Sequence, residues 1–85
     1  MAIQKDNADR PEARLNLGIL YTDAGQPETA VRQFQAALRL QPAFEPAYIN
    51  LADLYRASGD EVRAESVLRN GLETVPDSAA LHHVM

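Results

Sequence analysis

Apolar and small residues recur along this chain at helical spacing, in stretches cut by proline and glycine. Ala13, Leu17, Leu20, Tyr21 and Ala24 form one stripe, and Ala30, Phe34, Ala37 and Leu38 form a second. Spacings of three and four residues place each set on one face of a helix. Pro11 and Pro27 stand where the two helices open, since a first-turn residue needs no N–H. Gly25 ends the first helix, offering the left-handed conformation that a helix C-terminus favours. Gln41-Pro42 ends the second, because the residue before proline is pushed out of the helical region.

The same grammar then returns. Pro46 opens a helix with Ala47, Leu51, Leu54 and Tyr55 on one face, and Gly59 stops it. Asp60 is a good N-cap for the next helix, whose buried face is Ala64, Val67, Leu68, Gly71 and Leu72, and Val75-Pro76 closes it. Within residues 11–78, a shift of 34 residues superposes nine identical pairs: Ala13/Ala47, Asn16/Asn50, Leu17/Leu51, Leu20/Leu54, Tyr21/Tyr55, Gly25/Gly59, Ala30/Ala64, Leu38/Leu72 and Pro42/Pro76. Small, aromatic and turn-forming residues dominate the matches, so what repeats is geometry. No stretch alternates with period two. The pattern predicts an all-α chain of two helical hairpins.

Composition narrows the chemistry. Eighty-five residues suffice for one small domain. With no Cys there is no disulfide, thiolate zinc site or cysteine nucleophile. The net charge is −4, and seven arginines are scattered along the chain, which is the wrong layout for a phosphate backbone. Nucleic acid is therefore not an expected partner. No apolar run approaches the roughly 20 residues of a membrane helix, and the first residues lack a signal-peptide layout. The sequence assigns no compartment. His82 and His83 are adjacent, about 100° apart on a helix, and cannot chelate one metal together. Ser58, Ser66 and Ser78 have no His or acid at useful spacing. No catalytic residue, metal site or cofactor is expected.

Leu17-Gly18-x-x-Tyr21, Ala30-x-x-x-Phe34 and Pro42, repeated as Leu51-Ala52-x-x-Tyr55, Ala64-x-x-x-Leu68 and Pro76, resemble the tetratricopeptide repeat pattern with its 34-residue period. The aromatic that usually precedes the Leu-Gly pair by three is Tyr48 in the second copy and Arg14 in the first. The resemblance implies a right-handed α-solenoid of antiparallel helix pairs with a concave inner face. It divides the chain into repeat one at 11–44 and repeat two at 45–78. Residues 1–10 then read as the tail of a preceding repeat's helix, with Ala2-Ile3-Gln4-Lys5 aligned on Ala36 to Arg39. Residues 79–85 read as the start of a following helix capped by Ser78, with Met85 in the register of Leu17 and Leu51. On this reading the segment comes from a longer array, and its uncapped apolar ends favour self-association.

The resemblance also implies a function, a scaffold whose concave groove binds a protein or peptide. The groove positions are Asn16, Asn50, Glu12, Leu15, Ile19, Thr22, Asp23, Ile49, Asp53 and Arg56. Asn16 and Asn50 stand out, because Asn is a poor interior helix residue and its amide offers a peptide backbone both donor and acceptor. Some family members clamp a C-terminal carboxylate with Lys, Asn and Arg. Those positions here are Leu15, Ile19, Asn50, Ala80 and Val84, of which only Asn50 fits, so such a tail is not the expected ligand. The competing expectation is a structural spacer or self-assembly segment of a larger protein.

Overall fold

A computed structural model describes residues 10–84. It contains α1 (Pro11–Asp23), α2 (Pro27–Leu40), α3 (Glu45–Ala57), α4 (Glu61–Thr74) and a short α5 (Ala79–Val84). No strand occurs among the described residues. The expected tail at residues 1–10 falls almost wholly outside the described residues, as does Met85; Arg10 is the extended N-cap of α1.

Helix ends follow the local chemistry. Proline lies in the first turn of α1, α2 and α3. Gly25 and Gly59 take φ of 76° and 82°, a region that costs an L side chain strain. Asp60 accepts a hydrogen bond from the Arg63 backbone N–H at 3.1 Å, satisfying one orphan donor of α4. Ser78 Oγ does the same for the Leu81 N–H at 3.1 Å, as the sequence predicts.

Short turns make α1 and α2 one antiparallel hairpin and α3 and α4 another. The hairpins stack so that α3 packs on both helices of the first, and α5 meets α3 and α4 in turn. The result is a slab of 41 × 31 × 14 Å. Two apolar clusters fill it. Ala30, Phe34, Leu51 and Leu54 join α2 to α3, and Tyr48, Ala52, Ala64, Leu68 and Leu81 join α3 to α4 and α5. Tyr55 and Val67 pack against both, so one core runs through both repeats.

Glycines set the closest approaches. A Cβ on Gly18 would stand 2.6 Å from Phe34 Cδ1, inside the ring's contact surface. A Cβ on Gly71 would stand 2.9 Å from Leu81 Cδ1 and from Tyr48 Cγ. Tyr48 is buried and its hydroxyl donates to Pro42 O at 2.7 Å, tying the second hairpin to the turn before it. At the matching place in repeat one, Arg14 is half-buried and donates to Gln33 Oε1 at 3.1 Å.

Repeat one departs from its expected stripe. Leu20 is 62% exposed and Ala24 is exposed, whereas the equivalent Leu54 is 7% exposed. The helix residues are alike, but their neighbours differ. Leu54 is covered by α2, and among the described residues no helix stands in that place before α1.

Candidate functional site

The first helices of the two repeats, α1 and α3, lie side by side and leave a cleft of about 290 Å³ between them. Ile19, Thr22 and Asp23 come from α1, Asn50, Asp53, Leu54 and Ala57 from α3, and Phe34 from α2. Helical spacing produces this grouping. Residues 19, 22 and 23, and residues 50, 53, 54 and 57, each share a face.

Five of the groove residues read from the sequence therefore meet in one place: Ile19, Thr22, Asp23, Asn50 and Asp53. The others lie elsewhere. Leu15 packs against the Phe34 cluster between the hairpins, and Ile49 against the Tyr48 cluster that joins α3 to α4 and α5. Glu12 is exposed in the first turn of α1, where its charge suits the helix dipole. Asn16 is exposed on α1, outside the cleft lining. The Arg56 guanidinium donates to Glu61 Oε1 at 2.9 Å and to Val84 O at 3.0 Å, pinning α4 and α5 to α3 and drawing its charge away from the cleft.

Asn50 is half-buried, and its Nδ2 donates to Pro46 O at 2.8 Å, one turn back on its own helix. That bond fixes the amide's orientation, so less rotamer entropy is lost when a ligand engages it. Thr22 Oγ1 likewise donates to Gly18 O at 2.8 Å. The cleft is thus apolar along Ile19, Phe34, Leu54 and Ala57, with the exposed carboxylates of Asp23 and Asp53 on its two helices. Among the described residues, no Lys, Arg or His lines it. Phe34, Leu54 and Ala57 line the cleft without being among the expected groove positions: the first two were expected on buried helix faces, and a 34-residue shift from Asp23 lands on Ala57.

Among the described residues there is no cluster of three or more metal-ligating side chains and no helix long and apolar enough to cross a membrane.

The chain matches the tetratricopeptide repeat family over residues 21–85 and belongs to that family. Among curated proteins it is similar to the Photosystem I assembly protein Ycf3 of Rippkaea orientalis (strain PCC 8801 / RF-1). The two are 28% identical over 65 residues, which cover 76% of this chain and 38% of that protein. The chain therefore spans well under half the length of this relative.

Proposed function

We propose that this chain is a non-catalytic interaction scaffold whose α1–α3 cleft holds an extended segment of a partner protein carrying a Lys or Arg beside an apolar side chain. The observation behind it is the pairing of two carboxylates, Asp23 and Asp53, with an apolar wall and an amide of fixed orientation. A cation between the carboxylates gains charge-assisted hydrogen bonds, and the neighbouring side chain buries area on Ile19 and Leu54. The non-catalytic reading rests on the same chemistry. Among the described lining residues the one hydroxyl, that of Thr22, donates to Gly18 O within its own helix rather than to Asp23 or Asp53. The relative is named an assembly protein, which accords with a scaffold.

Selection of randomised linear peptides on the immobilised chain tests the proposal. Peptides pairing a basic with an apolar residue are expected to be enriched. The double variant Asp23→Lys, Asp53→Lys should weaken their binding by about tenfold or more, since each charge-assisted bond contributes about 1.5–3 kcal/mol. Both carboxylates are exposed, so helicity should not change. Enrichment of acidic peptides, or binding that ignores the double variant, would refute this use of the cleft.

A further inference from the structure

We infer that the partner segment held in the α1–α3 cleft continues over the turn end of the slab into a second cleft, where a carboxylate side chain of the same segment meets Arg32. The inference rests on the reading proposed for the first cleft and states what lies further along its ligand.

The second cleft, of about 500 Å³, lies between the second helices of the two repeats, α2 and α4. Those helices make no substantial contact with each other, and Leu54 and Tyr55 of α3 close the space between them. The two clefts are built alike. Each runs between like helices of successive repeats and is floored from the other layer, by Phe34 of α2 in the first and by Leu54 and Tyr55 of α3 in the second. They open on opposite faces of the slab and share one wall, since Leu54 lines both.

Both clefts reach the same end of the molecule. Asp23 and Ala57, which line the first, are the last residues of α1 and α3. Pro27 and Asp60, which line the second, stand at the starts of α2 and α4. A segment leaving the first cleft past Asp23 and Ala57 therefore enters the second by crossing between the two turns. The slab is 14 Å at its thinnest, and an extended chain covers about 3.3–3.6 Å per residue, so about four residues make the crossing.

Charge names what the far part of the segment carries. The first cleft holds Asp23 and Asp53 and, among the described residues, no cation. In the second, Asp60 accepts from the Arg63 backbone N–H and pairs with the Arg63 guanidinium at 3.5 Å, which itself lies 6.0 Å from the centre of the Tyr55 ring. Glu28 stands in the first turn of α2, where the helix dipole favours a negative charge. Arg32 is exposed and has no ion pair among the described residues. It is the cation left for a ligand, and its planar fork suits a carboxylate. Val31 and Tyr55, both half-buried in the same cleft, offer area to an apolar neighbour of that carboxylate. A basic residue in the first cleft and an acidic one in the second also set the direction of the segment, because the reverse order brings like charges together.

Selection of randomised linear peptides on the full chain is the test, at a length of about twelve residues, enough to span both clefts. Recovered peptides should carry Asp or Glu at one fixed offset, about four residues from the basic one. Selection on Arg32→Glu should keep the basic–apolar pair and lose the acid. A recovered peptide should bind Arg32→Glu about tenfold more weakly, and changing its acid to the amide should cost the unmodified chain a similar factor and Arg32→Glu nothing. Arg32 is exposed, so helicity should hold, and Arg32→Ala takes its place if it does not. Basic–apolar peptides with no acid at a fixed offset, or an acid preference that survives Arg32→Glu, would overturn the inference and leave the function of the first cleft in place. Acidic peptides without a basic residue, lost on Arg32→Glu, would overturn it as well, by making the second cleft a separate site. Peptides without the basic–apolar pair would sink both readings together.

Discussion

Phe34→Ala should cost about 3–5 kcal/mol, the usual toll for deleting a buried aromatic ring. Small domains hold about 0.05–0.15 kcal/mol per residue, roughly 4–13 kcal/mol here, so the loss is a large share of the total and the denaturation midpoint should fall steeply. The ring is 1% exposed and wedged between Gly18 of α1 and Leu51 and Leu54 of α3, so its loss opens the joint between the repeats. A double-mutant cycle sharpens the point. Gly18→Ala alone should destabilise, because an overlap with the ring of about 1–3 kcal/mol exceeds the helix-propensity gain of about 1 kcal/mol. In the Phe34→Ala background the same methyl enters vacated space and should stabilise. Denaturant melts of the four proteins decide it, and an unchanged sign for Gly18→Ala would contradict the packing described.

The second large effect is a contrast between equivalent residues. Leu54→Ala should cost about 2–5 kcal/mol, while Leu20→Ala should stay within about 0.5 kcal/mol. Both are leucines at one register of one repeat pattern, 7% and 62% exposed. The difference comes wholly from the hairpin stacked before α3. Urea midpoints of the two variants measure it, and equal losses would mean that the hairpins do not stack as described.

The contrast also marks where sequence reasoning ends. Helix limits were legible because prolines and glycines act locally: Pro11 and Pro27 fix φ in a first turn, and Gly25 and Gly59 take positive φ. The all-helical repeat was legible from the 34-residue register. Exposure was not, because it depends on which neighbour covers a face. Hence Leu20 shares its stripe with Leu17 and Tyr21 yet lies open. The cleft was legible in outline through the family resemblance, which implies Ile19, Asp23, Asn50 and Asp53 as groove positions. The destinations of longer side chains were not. Arg56 could reach the cleft by register, but Glu61 and the end of α5 offer it stronger partners. The resemblance implies Leu15 and Ile49 as groove positions, and partial burial sets Leu15 against the Phe34 cluster and Ile49 against the Tyr48 cluster.

The cleft is the feature on which the functional account depends. Amide chemical-shift mapping of the labelled chain with a selected basic-apolar peptide tests it directly. Shifts concentrated at Ile19, Asp23, Asn50, Asp53 and Ala57, and abolished by charge reversal at Asp23 and Asp53, are the predicted result. Shifts confined to the outer residues of α2 and α4, such as Arg32, Gln35 and Arg69, would contradict it.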